Sequence, residues 1–243
     1  ASWRKMRGVY VKKTLLLVFS LGAVVALDVS PLLTVELNNG NEIPLIGLGV
    51  GNMAHEQIPS VLQTAVSKHG VSFIDTASAS RNEALIVEAI SKTGHSEVQV
   101  LTKVWYTYLG YARTKLSVRD SLANLASFGD VGPVSVLLHW PRCNPAISWM
   151  DCEGEEAGLP REVKDAGPPP HLDPGRAWQD SWRALEDMYL AGDINNIGVS
   201  NFDLRDLMSL LTSARVKPQV AQTDSLVLVD IFVIIALLIP TLS

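Results

Sequence analysis

Four short apolar runs in this chain each end in a residue that can hold or move a proton or form strong hydrogen bonds. They are residues 73–77 (FIDTA), 101–105 (LTKVW), 137–141 (LLHWP) and 197–202 (IGVSNF). The residues in question are Asp75, Lys103, His139, and Ser200 with Asn201. Each run is of strand type, and a helix-period stretch separates it from the next. In a parallel barrel, polar groups at the carboxyl ends of strands line one mouth. The placement therefore predicts that a carboxylate, an ammonium and an imidazole converge there, although they are far apart in the chain. Plainer readings stand beside this one. Asp75 and Lys103 are equally a buried pair kept for structure, since buried charges persist when paired. His139 alone reads as a satisfied core histidine, and Ser200 and Asn201 as helix caps ahead of Asp203 and Leu204.

The elements that must position these groups follow from periodicity. Alternation around Asn39-Gly40 predicts a hairpin, and residues 46–50 read as a buried strand. Helices are expected at 58–69, 82–92, 114–127, 182–190 and 204–213, several with a glycine stop, such as Gly70 and Gly192. Strands are expected at 71–77, 98–105, 134–140, 196–200 and 219–224. Residues 141–176 are rich in Pro, Gly and acidic residues, without periodicity, and read as an inserted loop. Strand–helix alternation means a parallel sheet. About six units are present where a closed (β/α) barrel needs eight. The expected fold is thus α/β, an incomplete TIM-type barrel with an N-terminal hairpin, over residues 33–224.

Composition narrows the function class. With 243 residues and a net charge of -5, the chain suits one folded domain and lacks the basic face that non-specific nucleic-acid binding needs. Residues 1–26 read as a secretory signal peptide: Arg4, Lys5, Arg7, Lys12 and Lys13 precede an apolar run shorter than the roughly 20 residues of a membrane span. This implies the secretory pathway. An uncleaved membrane anchor and a plastid-type bipartite leader are the alternatives. Residues 225–243 form an apolar tail that leaves the strand–helix rhythm. An altered end of a gene, a buried substitute for barrel elements and a membrane-associating segment are three readings of it. The two cysteines, Cys143 and Cys152, fit a disulfide if the chain is secreted. With His139 or His171 they match no usual zinc ligand set, and no metal site is expected.

The segments LNNGNEIPLIGLGV, FIDTASASRNE, LTKVW, LLHWP, WRALEDMYLAGDINNIGVSNF and the stretch around Gln222 occur in the order of the aldo-keto reductase family, which the chain resembles from about 37 to 224. The resemblance implies a (β/α) barrel that reduces aldehydes or ketones with NADPH or NADH. It implies a catalytic Asp, Tyr, Lys and His. Asp75, Lys103 and His139 match three of them, while Ser80 stands at the tyrosine position. It further implies that Ser200, Asn201 and Gln222 bond the nicotinamide carboxamide, and that Gly49 and Val50 lie beside the ribose through their backbone.

Ser80 has a chemical consequence. A phenol next to an ammonium works as a general acid near neutral pH, whereas an aliphatic hydroxyl is far weaker. Impaired turnover is therefore expected, and the family's cofactor contacts beyond residue 224 are not recognisable, which implies reduced cofactor affinity. Tyr106, Tyr108 or His139 alone are alternative proton sources; the tyrosines otherwise read as loop or pocket-wall residues. Beside the reductase stands a second class of function, a non-catalytic binding or regulatory module.

Overall fold

The computed structural model describes residues 34–129, 131–224 and 232–236. The segment read as a leader, 1–26, and most of the tail, 225–243, lie outside the described residues. Strands β1 (Thr34–Glu36) and β2 (Glu42–Pro44) form the expected antiparallel hairpin, turned at Gly40 with φ +83°. Six strands then lie parallel in chain order: β3 (Leu48–Gly49), β4 (Phe73–Asp75), β5 (Gln99–Val104), β6 (Val134–Leu138), β7 (Asn196–Ser200) and β8 (Val220–Asp224). Strand β9 (Phe232–Ala236) pairs antiparallel with β8, from Val220↔Ala236 to Asp224↔Phe232. It covers the edge of β8, and unpaired sheet edges are open to further strand pairing. Among the described residues the sheet does not close. This is the incomplete TIM-type barrel expected from the strand–helix rhythm.

Helices α1 (Ile58–His69), α2 (Glu83–Ser91), α3 (Tyr111–Leu125), α6 (Pro174–Ala191) and α7 (Leu204–Ser213) cover the outer face of the sheet. Gly70 and Gly192 end α1 and α6 in the left-handed conformation, as their sequence positions predict. Two expectations change. Residues 46–50 are not a buried strand throughout: β3 is two residues long and Ile46 is exposed, because this edge strand pairs only with β4. Residues 141–176 are not an unstructured loop either. They contain α4 (Cys152–Gly158), α5 (Arg161–Asp165) and the start of α6, which begins at Pro174 rather than at Trp182. Local capping explains the difference: Asp151 and Asp173 accept from Gly154 N and Arg176 N, and Pro174 occupies the first turn of α6.

The two-residue period of a strand sorts the sheet into two faces. Ile74, Val100, Val104, Val136, Leu138 and Val199 belong to the outer core under the helices. Phe73, Leu101, Leu137 and Val220 form a separate inner cluster with Leu37 and Ile43 of the hairpin segment. The hairpin thus plugs one end of the curved sheet. Two residues further along the same strands, on the same face, stand Asp75, Lys103, His139 and Gln222. The inner layer is tight at Gly198: a methyl group there would overlap Val220 O and approach Leu137 Cγ to 3.1 Å. Gly198→Ala should therefore lower stability by about 1–3 kcal/mol, the usual cost of overpacking. Urea unfolding followed by far-UV circular dichroism checks this; an unchanged midpoint would contradict the packing.

Candidate active site

The last residues of β4 and β5 place Asp75 and Lys103 side by side. Both are almost fully buried, and Lys103 Nζ donates to Asp75 Oδ1. Nζ also donates to Thr76 O at 3.0 Å, while Gln222 Nε2 donates to Asp75 Oδ2 at 2.9 Å. Both carboxylate oxygens are therefore occupied, and the ammonium keeps one of its three N–H groups uncommitted among the described residues. Burial holds the Lys103 pKa below the ordinary lysine value, against the opposing pull of Asp75.

His139 follows β6 and is tied to the end of β5 through His139 N→Val104 O at 3.0 Å. Burial, with the charge of Lys103 second, pushes the imidazole down to about 3. It is thus neutral across the physiological range, able to offer an N–H but not to carry a proton away. Its Nδ1 is buried without a partner among the described residues. Trp105 packs edge-on against it, with ring centroids 5.0 Å apart.

These groups border one cavity of about 810 Å³. Ser80 borders it too, from a single turn of 3₁₀ helix, Ser78–Ser80, that Ser78 Oγ ties to Lys103 O at 2.8 Å. The loop beneath that turn is fastened by Thr76 Oγ1→Asn82 Oδ1 at 2.6 Å and Asn82 Nδ2→Val50 O at 3.1 Å. Gly49, Ser200, Asn201 and Gln222 complete the polar side of the cavity. Val50 is fully buried and does not border it; its N–H donates to Asp75 O at 2.9 Å, so both its backbone groups are taken. Asn201 adopts φ +58° and donates to His139 O at 2.8 Å and Ser200 Oγ at 3.1 Å. The cap of α7 is Asp203, which accepts from Asp206 N at 2.8 Å; Ser200 and Asn201 are not the cap and face the cavity instead.

Tyr106 and Tyr108 are not cavity residues. The Tyr106 hydroxyl donates to Glu155 Oε1, and burial followed by that carboxylate raises its pKa, making it a poorer acid. Burial also raises Tyr108.

Sequence reasoning missed the segment that roofs the cavity. Glu155 of α4 accepts from Trp105 Nε1 at 2.6 Å as well as from Tyr106. Its neighbour Glu156 takes the buried Arg113 in a two-pronged pair at 2.8 and 2.9 Å. Cys143 and Cys152 form a disulfide, Cα–Cα 5.8 Å, that ties the start of α4 to the chain leaving β6. Trp149, between the two cysteines, stacks on Trp105 and meets Trp140 edge-on. The pairing of Cys143 with Cys152 was the one signal of this arrangement available beforehand.

A nicotinamide group fits what the residues offer. Gln222 Oε1 on the cavity wall is a buried acceptor without a partner among the described residues, suited to a carboxamide N–H. A Cβ at Gly49 would meet nothing within 4 Å among the described residues, which leaves room for a bulky group against the backbone.

The aldo/keto reductase family profile matches residues 45–230. Glyoxal reductase from Bacillus subtilis is 33% identical over 199 residues, 79% of this chain and 57% of that protein. The chain thus spans somewhat over half the length of such relatives. A crystal structure of an aldo/keto reductase from Brucella melitensis superposes with TM-score 0.61 at 28% identity, over 80% of this chain and 63% of that one. A solved aldo-keto reductase complexed with NADPH gives TM-score 0.60 at 27% identity, over 80% and 55%.

Two outcomes follow from the geometry. His139 has a folded-state pKa below its unfolded value, so its contribution to stability is complete above about pH 6.5 and is lost as pH falls toward 3. The unfolding midpoint of His139→Gln should therefore depend less steeply on pH in that window than that of the native chain. Glu155→Ala strands the Trp105 and Tyr106 donors and should cost about 1–3 kcal/mol in denaturant unfolding, with a shift in tryptophan emission.

Proposed function

Because the chain belongs to the aldo/keto reductase family, we propose that it reduces small aldehydes or ketones with NADPH, at a rate held down by Ser80. The observation that carries this reading is the meeting of Asp75, Lys103 and His139 at one cavity beside Gln222 Oε1, an acceptor with no partner among the described residues. When bound, a reduced nicotinamide supplies the hydride. Gln222 and Ser200 would hold its carboxamide, with Asn201 fixing the wall between them and His139.

The chain's own part is to orient the carbonyl and supply a proton to its oxygen. Neutral His139 offers an N–H to that oxygen. Ser80 is too weak an acid for the proton transfer. Lys103 keeps one uncommitted N–H at the cavity, so the proton comes from its ammonium, directly or through one water. The amine left behind is reprotonated from solvent. The aromatic wall of Trp105, Trp140 and Trp149 excludes water and favours substrates with an apolar body. The Cys143–Cys152 disulfide suits an oxidising compartment, and the proposal accordingly assigns the protein to the secretory pathway.

A second reading, a carbonyl-binding module without turnover, is favoured by Ser80 alone. Titration with NADPH separates the two: saturable quenching of tryptophan emission is expected, and its absence would remove the reductase reading. With glyoxal as substrate, Ser80→Tyr should raise NADPH oxidation by about 10²–10⁴-fold, the worth of a restored general acid. Native turnover equal to that of the variant would show that Ser80 is no impediment.

A further inference from the structure

We propose that Lys103 is a carbonyl-reactive amine, and that small aldehydes entering the cavity condense with its Nζ to an imine held beside Asp75. The inference rests on the reading above only in taking the cavity to admit aldehydes; it needs no cofactor.

The geometry favours it in three ways. Nζ is oriented by Asp75 Oδ1 and Thr76 O, leaving its third position uncommitted at the cavity. The turn next to it presents only Ala77, Ala79 and Ser80 to that cavity, and Ser78 Oγ pins the turn to the same strand end. No large side chain of that turn therefore separates Nζ from a bound carbonyl. Among the described residues the groups that face it are the Asp75 carboxylate from β4, neutral His139 after β6 and the Gln222 amide from β8, so one anion and no second cation surround it there. Burial also raises the share of free amine at a given pH.

The step balances. Asp75 takes one proton from the ammonium. The amine attacks the carbonyl carbon: a C–N bond forms, the C=O π bond breaks, and an N–H proton moves to oxygen. The protonated Asp75 then returns its proton to the leaving hydroxyl. Water departs, and an iminium remains whose positive charge replaces the ammonium in the pair with the Asp75 carboxylate.

Sodium cyanoborohydride reduces such an iminium to a stable secondary amine. The native chain, treated with propanal and cyanoborohydride at neutral pH without nucleotide, is digested and mapped by mass spectrometry. Lys103 should be alkylated at least about tenfold faster than the exposed Lys92. Labelling that follows exposure, with Lys92 modified and Lys103 spared, would overturn the proposal. Ser80→Tyr narrows the cavity that Lys103 borders and should suppress the Lys103 adduct while leaving Lys92 labelling unchanged. If that variant does not fold, the ranking in the native chain still decides. The pH trends also oppose each other: trapping rises with pH as free amine accumulates, whereas reduction falls as the ammonium is lost. Trapping without NADPH quenching would leave the lysine chemistry standing and remove the reductase reading; quenching with Lys103 spared would do the reverse.

Discussion

Lys103 carries its charge into the end of a sheet that water hardly reaches, and Asp75 is what makes that tolerable. Removing one member of such a buried pair typically costs about 3–5 kcal/mol, because the other is left uncompensated. The pair is buttressed from three further directions, by Thr76 O, by the Gln222 amide and by the turn bonded to Lys103 O. Strands β4, β5 and β8 are thus joined through side chains at the cavity as well as through the backbone ladder. The same closeness that stabilises the charges holds the ammonium at the cavity wall with one donor to spare.

Everything around the pair depends on strand alternation. The inner apolar cluster beneath it, closed by the hairpin, fixes which face of each strand looks inward. Because side chains repeat every two residues, Phe73, Leu101, Leu137 and Val220 commit Asp75, Lys103, His139 and Gln222 to the same face. A one-residue slip would turn all four away. The roof is built differently. It relies on the Cys143–Cys152 link, the buried Arg113–Glu156 pair and the two bonds accepted by Glu155. The disulfide closes a short loop, whereas the bonds of Glu155 and Glu156 reach across more than forty residues of chain, and together they bring Trp149 against Trp105 over the cavity.

Much of the architecture was legible in the residues. The hairpin lies where it was expected, and α1 from Ile58 to His69, β7 from Asn196 to Ser200 and α7 from Leu204 to Ser213 match their expected bounds, since clear periodicity marks them, with Gly70 ending α1 and Asp203 starting α7. The segment 141–176 was not legible as helix. Its helices are short and carry little apolar periodicity, so capping by Asp151 and Asp173 and contacts with Arg113 decide their conformation. The brevity of β3 was hidden for a similar reason: an apolar run does not reveal that a strand has a neighbour on one side only.

By itself the sequence determined the order of the elements, the polar residues at their ends and the absence of a phenol at residue 80. These are local properties, set by residue type and spacing. Only the tertiary structure decided that Gln222 spends its amide on Asp75 and leaves its oxygen open, that Val50 is withdrawn from the cavity, and that Tyr106 belongs to Glu155 rather than to the site. Such outcomes depend on which partners the folded chain brings within hydrogen-bond reach of groups distant in sequence, and no local pattern encodes that competition.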